Sequence, residues 1–188
     1  MEILLIRHTT PDVPTGTCYG QTDLDVNGTF EKEADEIKAT IGDFKPEAIY
    51  SSPLIRCSKL AEKLFPGQTI QLDDRLKEMS FGQWEQKLWQ NIPKDELDTW
   101  ANDFMQHAPP EGESFNRFIQ RIDEFKIEYL KRNDRAVVVT HSGVIRSFLM
   151  QHLHIPSDKI FNLQLNYGAV IKIDIHTEAY SQVKFLKG

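Results

Sequence analysis

Residues 135–143 have the sequence RAVVVTHSG and carry the clearest structural pattern in the chain. The continuous apolar, β-branched run suits a strand buried on both faces of a parallel sheet, and a helical pattern follows it to residue 153. Residues 3–6 (ILLI) form a second apolar run, and residues 48–51 (AIYS) suggest a third strand. These strands alternate with helical segments, which predicts an α/β fold: a mostly parallel sheet with helices on both faces.

Helical periodicity fills the segments beside these strands. Residues 28–41 place their apolar side chains along one stripe, and residues 113–132 form a second amphipathic pattern. After the strand at 48–51, Ser52 is predicted to be the N-cap and Pro53 the first residue of a helix that ends before residue 66.

The C-terminal residues have the pattern of an antiparallel hairpin. Residues 169–175 and 182–186 are the predicted strands, joined by a polar turn that contains Thr177 and Glu178. An antiparallel element is therefore expected beside the mostly parallel sheet.

The middle of the chain differs from the rest. Residues 73–110 hold all three tryptophans and show no strand pattern. We predict that this segment is a mostly helical insertion, a lid packed over one edge of the core. The 188 residues are enough for one domain, residues 1–188, with a substantial core.

Composition limits the classes of function. The formal net charge of −6 argues against general nucleic-acid binding, which needs a basic patch. The apolar run at the N-terminus is too short for a signal peptide or a membrane span. Cys18 and Cys57 form neither a CxxC pair nor a disulfide framework. We expect a cytoplasmic protein with no nucleic-acid or membrane partner, and leave open whether it forms a homodimer.

Cationic and nucleophilic side chains follow the predicted strands. Arg7 and His8 end the first strand, Arg56 lies on the first turn of the helix after the second, and His141 follows residues 135–140. Because ligands of open parallel sheets bind beyond the carboxyl ends of the strands, these four side chains should meet in one crevice. Arginine forks match phosphate oxygens, and a neutral imidazole is a competent nucleophile toward phosphorus. The pattern indicates a site for the phosphoryl group of a small phosphorylated metabolite.

The chain resembles the histidine phosphatase (phosphoglycerate-mutase-like) superfamily over essentially its whole length. Four motifs in the family's order carry this resemblance: Arg7-His8-Thr9, Ser51-Ser52-Pro53-Leu54-x-Arg56, Glu78-Met79-x-Phe81-Gly82-x-Trp84-Glu85 and Thr140-His141-Ser142-Gly143. The resemblance implies a phosphoglycerate-mutase-like fold and hydrolysis of phosphomonoesters through a phosphohistidine intermediate.

The resemblance also implies a role for each matching residue. His8 would accept the phosphoryl group, and His141 would help to hold it. Glu78 would protonate the leaving oxygen and then deprotonate the attacking water, with Glu85 as the reserve candidate. No metal ion or other cofactor is implied. Phosphate contacts are expected from Arg7, Arg56 and Ser142, and substrate contacts from Tyr19, Gly20 and Gln21.

Within the superfamily, residues 18–23 (CYGQTD) and the compact length are most similar to α-ribazole phosphatases. That similarity implies α-ribazole 5′-phosphate, an intermediate of cobalamin biosynthesis, as the substrate. Three alternatives stay open: a broad-specificity small-molecule phosphatase, a phosphoglycerate mutase and a non-catalytic phosphate-binding module. Mutases of the superfamily are usually longer, and a non-catalytic module would tolerate the loss of His8 or Glu78.

Overall fold

Six strands form one sheet in a computed structural model of the chain, which describes residues 1–129, 133–177 and 180–188. The strands are Glu2–Arg7 (β1), Ala48–Ser51 (β2), Ile70–Leu72 (β3), Arg135–Thr140 (β4), Val170–Thr177 (β5) and Tyr180–Lys187 (β6). Their spatial order in the sheet is β3-β2-β4-β1-β5-β6.

The directions of the strands bring several strand ends to one edge of the sheet. Neighbours among β3, β2, β4 and β1 are parallel, whereas β5 pairs with both β1 and β6 in antiparallel fashion. The carboxyl ends of β1, β2 and β4 and the amino end of β5 therefore share one edge. The predicted fold, a mostly parallel sheet with an antiparallel element, is confirmed.

The described residues contain five α-helices: Phe30–Ile41 (α1), Ile55–Leu64 (α2), Lys94–Asn102 (α3), Phe115–Tyr129 (α4) and Ser142–His152 (α5). Helices α1 and α2 cover one face of the sheet, and α4 and α5 cover the other. Side chains of β1 alternate: Leu4 and Ile6 pack with α1 and α2, while Ile3 and Leu5 pack with α4 and α5. The predicted helices on both faces are thus present.

Helix α2 begins later than predicted. Leu54, in an extended conformation, occupies the N-cap position, so Ser52 and Pro53 precede the helix. The Ser52 hydroxyl still accepts a hydrogen bond from the Leu54 amide at 3.4 Å, and it also lies 2.8 Å from Nε2 of His141. The prediction of Ser52 as N-cap was wrong because this hydroxyl belongs to the site at the strand ends.

The segment at residues 73–110 is less helical than predicted. It contains α3 and three single-turn 3₁₀ helices, Asp74–Leu76, Gly82–Trp84 and Trp89–Asn91, joined by irregular backbone. Trp84 is buried with Cys18 and Ile92, and its indole N–H donates to Glu96 at 2.8 Å. This insertion, residues 73–110, is called the lid below.

Two further differences concern the strands. Thr177, predicted in the turn of the hairpin, is the last residue of β5. Strand β3, only three residues long, was not predicted. The end of the helix predicted at residues 113–132 and the turn residue Glu178 lie outside the described residues. No helix in the described part of the chain combines the length and the apolar character needed to cross a bilayer.

Candidate active site

The strand ends bring the four predicted phosphate-site residues together. Arg7 ends β1 and His8 follows it, while His141 follows β4 and Arg56 lies on the first turn of α2. The rings of His8 and His141 are 5.2 Å apart between centroids, in an edge-on arrangement. Parallel pairing of β1 with β4, which sets Arg7 beside Thr140, produces this neighbourhood.

His8 is held as a neutral imidazole with one free nitrogen. Its Nδ1 lies 2.7 Å from the Thr9 carbonyl, which can only accept, so Nδ1 carries the proton and Nε2 keeps its lone pair. Burial lowers the pKa of His8 well below its ordinary value, and the charges of Arg56 and Arg7 lower it further. Nε2 is therefore available as a nucleophile without prior deprotonation.

Arg7 and Arg56 are held by carbonyl groups rather than by carboxylates. Arg56, fully buried, donates from Nη1 to the Thr22 carbonyl at 2.8 Å and from Nη2 to the Gly20 carbonyl at 2.7 Å. Arg7 donates from Nη1 to the Leu165 carbonyl. Neither has a carboxylate within 4.0 Å in the described residues, and the buried Nε of each has no partner. Two cations without counter-charges make this a site for an anion.

His141 is fully buried, and its ring contacts two neutral side chains. Its Nε2 lies 2.8 Å from the Ser52 hydroxyl and 3.5 Å from Sγ of Cys57. Burial raises the pKa of the Cys57 thiol to about 12, so the thiol is neutral. Burial, followed by the charges of Arg56 and Arg7, lowers the pKa of His141 well below its ordinary value. A protonated His141 would therefore require the negative charge of a bound phosphoryl group.

Glu78 lies at the N-terminus of α5. Its Oε2 accepts from the Gly143 amide at 3.0 Å and from the Ser142 hydroxyl at 3.3 Å, and its Oε1 accepts from the Met79 amide at 3.0 Å. Gly143 permits this approach, because a Cβ atom there would lie 2.1 Å from Oε1 of Glu78. Arg121 donates to the Glu78 carbonyl at 2.9 Å and fixes the backbone.

Glu85, the reserve candidate for the acid, has a different position. Its carboxylate accepts from the amides of Gln21 at 3.0 Å, Phe81 at 3.0 Å and Thr22 at 2.6 Å. Burial raises the pKa of Glu85, but these hydrogen bonds outweigh it and hold the pKa below its ordinary value. Glu85 thus ties the 20–22 loop to the lid, whereas Glu78 lines the cavity described below.

Of the three residues predicted to contact the substrate, only Tyr19 lines the cavity. The Tyr19 ring lies 5.4 Å from the Arg56 guanidinium. Gly20 and Gln21 lie behind it: the Gly20 carbonyl holds Arg56, and the Gln21 side chain donates to the Glu78 carbonyl at 3.1 Å. Gly20 and Gln21 therefore act on the site through Arg56 and Glu78.

A cavity of about 130 Å³ lies between Arg7, His8, Tyr19 and Glu78. Two residues at this site were not predicted from the sequence. Arg146, one turn along α5 from Ser142, lines the cavity. Tyr167 lies outside the lining and supports two lining residues: its ring lies 4.1 Å from the Arg7 guanidinium, and its hydroxyl shares a hydrogen bond of 2.6 Å with Tyr19. The lining residues are Arg7, His8, Tyr19, Glu78, Met79, Phe81, Phe115, Phe118, Ser142, Gly143, Arg146 and Phe161.

The arrangement has the parts needed for phosphoryl transfer. It offers one neutral nitrogen nucleophile, unpaired guanidinium groups to receive negative charge and a carboxyl group on the same cavity for proton transfer. In the described part of the chain, no three His, Cys, Asp or Glu side chains are grouped as ligands of a metal ion.

Comparison with known proteins agrees with this geometry. Residues 3–186 match the family model described as histidine phosphatase superfamily (branch 1). The chain is 24% identical to the adenosylcobalamin/alpha-ribazole phosphatase of Escherichia coli K12, over 94% of this chain and 91% of that protein. It is 29% identical to a metal-independent phosphoserine phosphatase of Arabidopsis thaliana, over 88% and 74%. The alpha-ribazole phosphatase structure from Shigella flexneri has the same fold, with a TM-score of 0.89, 21% identity and coverage of 100% and 96%.

Proposed function

The chain belongs to the histidine phosphatase superfamily (branch 1) and is a phosphatase, and we propose that it hydrolyses small phosphomonoesters through a phosphohistidine formed on His8. The observation that carries this proposal is the state of His8. Its Nδ1 proton is directed to the Thr9 carbonyl, which leaves Nε2 as the free nucleophile beside two arginines without counter-charges.

The first step transfers the phosphoryl group to the protein. The Nε2 lone pair of His8 attacks phosphorus, the bond from phosphorus to the ester oxygen breaks, and protonated Glu78 gives its proton to that oxygen. Arg7 and Arg56 bind the equatorial oxygens and neutralise their charge. The Thr9 carbonyl accepts from Nδ1–H throughout and stabilises the cationic phosphorylated ring.

The second step returns the protein to its starting state. A water molecule enters where the alcohol left, Glu78 removes its proton, and the oxygen attacks phosphorus as the Nε2–phosphorus bond breaks. Phosphate departs, His8 is again neutral, and Glu78 is again protonated. Since the helix α5 N-terminus and Ser142 hold the Glu78 carboxyl in place, one residue can serve both steps.

For the substrate, we propose α-ribazole 5′-phosphate. Two relatives in the comparisons are named adenosylcobalamin/alpha-ribazole phosphatases, at 24% and 22% identity. The wall of the cavity supports an aromatic leaving group, because it contains four phenylalanines, Phe81, Phe115, Phe118 and Phe161. Hydrolysis of this ester would place the protein in cobalamin biosynthesis.

The test is phosphate release from α-ribazole 5′-phosphate and a panel of small phosphomonoesters in the presence of EDTA. Wild type should release phosphate, and His8→Ala should lose at least about 1,000-fold in kcat, because removal of a nucleophile leaves only binding and electrostatic effects. The matched control is His107→Ala, an exposed histidine of the lid. Quenched wild type should also contain an acid-labile, alkali-stable phosphate on His8.

Other outcomes would favour the alternatives. Isomerisation of 3-phosphoglycerate without phosphate release would indicate a mutase, and binding without turnover would indicate a non-catalytic module. Equal rates across the panel would support a broad-specificity phosphatase rather than an α-ribazole phosphatase. Undiminished release by His8→Ala would overturn the phosphohistidine mechanism.

A further inference from the structure

Arg146 lies on the wall of the catalytic cavity but has no part in the two steps above. It projects from α5 one turn after Ser142, and its Nε and Nη2 donate to the Leu163 carbonyl at 3.3 Å and 2.9 Å. Its guanidinium lies 5.7 Å from the Phe161 ring. In the described chain no carboxylate lies within 4.0 Å of Arg146, and its Nη1 has no hydrogen-bond partner.

Arg146 and Arg7 are held by the same short segment. Arg7 donates to the Leu165 carbonyl, two residues after the Leu163 carbonyl that holds Arg146. The same segment thus anchors two guanidinium groups that both line the catalytic cavity.

The guanidinium groups at the cavity carry more positive charge than a phosphomonoester dianion can neutralise. Arg7 and Arg146 line the cavity, and buried Arg56 lies behind its wall, 5.4 Å from the Tyr19 ring. None of the three has an ion-pair partner in the described residues, while burial keeps His8 and His141 neutral. When Glu78 carries the proton needed for the first step, the cavity holds no fixed anion. A phosphomonoester dianion then neutralises two of the three guanidinium charges and leaves one.

We propose that Arg146 is a second anion-binding subsite, which favours phosphomonoesters whose leaving group carries a carboxylate. Nη1 is the free donor for that carboxylate, and the Leu163 carbonyl holds the guanidinium in place before the substrate binds. The inference rests on the proposed phosphatase function but not on the α-ribazole assignment. The neutral aromatic leaving group of α-ribazole 5′-phosphate offers Arg146 no anion, so the two substrate proposals make different predictions.

The test compares 3-phosphoglycerate with glycerol 3-phosphate, which carries a hydroxymethyl group in place of the carboxylate. Wild type should prefer 3-phosphoglycerate in kcat/KM by about 10- to 100-fold, the range expected for one charge-assisted contact. Arg146→Gln should abolish most of this preference, and Arg146→Lys should restore part of it. Arg117→Gln, at an exposed arginine of α4, should keep the wild-type preference.

The ratio of the two substrates separates recognition from damage to the fold. A purely structural role for Arg146 predicts that Arg146→Gln lowers both activities alike and leaves the ratio unchanged, and that result would overturn the inference. A wild type with no preference for the carboxylate would overturn it as well.

Binding measurements keep the inference testable without turnover. In His8→Ala, calorimetry should show 3-phosphoglycerate binding about 10-fold or more tightly than glycerol 3-phosphate, with the difference lost in His8→Ala/Arg146→Gln. Equal affinities in His8→Ala would refute the subsite even if hydrolysis is confirmed. Unequal affinities together with no hydrolysis would refute the proposed function and retain the subsite.

Discussion

The Glu78 carboxyl can occupy its position only because residue 143 is a glycine and has no Cβ atom. An added Cβ would lie 2.1 Å from Oε1 of Glu78 and 3.0 Å from the Phe118 ring, so the carboxyl would have to move. Gly143→Ala should therefore lower kcat for alkyl phosphates by about 100-fold, the lower range for loss of a general acid. Gly28→Ala, where a Cβ meets nothing within 4 Å, should change kcat less than about twofold. Steady-state kinetics on both variants tests this prediction. Equal kcat values for Gly143→Ala and Gly28→Ala would show that Glu78 is not the acid.

Glu78 and Glu85 can be distinguished by the step that fails. With p-nitrophenyl phosphate the leaving group departs as a stable anion, so Glu78→Gln should still form phosphohistidine, but it lacks the base for hydrolysis. Rapid-mixing absorbance should show a burst of about one nitrophenol per site, followed by slow turnover. Glu85→Gln weakens the 20–22 loop but leaves the Glu78 carboxyl in place, so it should show no such burst. A burst in Glu85→Gln alone would reverse the assignment.

At the scale of the elements, the lid requires the backbone at Gly82 to pack directly against the backbone at Pro110. Gly82 has a φ of 52°, and a Cβ there would lie 2.1 Å from the Pro110 carbonyl oxygen. Gly82→Ala should lower the free energy of unfolding by about 3 kcal/mol or more, because it adds a backbone clash to left-handed strain. Gly67→Ala has the same kind of strain, with a φ of 77°, but open space around its Cβ, and should lose about 1 kcal/mol.

Urea unfolding followed by two signals tests this prediction. All three tryptophans lie in the lid, so their fluorescence reports on the lid, whereas far-ultraviolet circular dichroism reports on the whole fold. In Gly82→Ala the fluorescence transition should precede the dichroism transition, and in Gly67→Ala the two should coincide. Identical midpoints for the two variants would show that the lid tolerates the change.

The strands that form the site could be predicted because their apolar runs are continuous. β1 and β4 place Arg7, His8 and His141 at one edge, and that part follows from sequence. β3 could not be predicted, since two of its three residues are exposed and only pairing with β2 makes it a strand. The late start of α2 has a similar cause, because a tertiary contact of the Ser52 hydroxyl with His141 competes with local capping.

Two residues of the site illustrate the difference between local and long-range signals. Arg146 lies four residues after Ser142 on the same helix, so helical spacing could have placed it near the cavity. Tyr167 had no local signal. It reaches Arg7 only because β5 runs antiparallel to β1, which brings the start of β5 to the carboxyl end of β1.

At the scale of the whole molecule, folding buries two neutral histidines beside arginines, and this links stability to pH. Burial, followed by Arg56, lowers the folded-state pKa of both His8 and His141 well below the unfolded value of about 6.5. Below pH 6.5 the unfolded chain binds protons that the folded chain cannot bind. The stability contribution is therefore complete above pH 6.5 and is lost as the pH falls toward the lowered pKa values.

Urea unfolding between pH 7.5 and 5.0 measures this loss, because unfolded carboxyl groups take up protons mainly below that range. Each of the two histidines should contribute a slope of up to about 1.4 kcal/mol per pH unit, and half-buried His152, whose pKa burial also lowers, adds to it. His8→Asn retains an N–H donor for the Thr9 carbonyl but does not titrate. The slope of its unfolding free energy against pH should therefore be shallower by the contribution of one histidine, up to about 1.4 kcal/mol per pH unit. Exposed His107→Asn should keep the wild-type slope, and an unchanged slope in His8→Asn would mean that His8 accepts a proton in the folded protein.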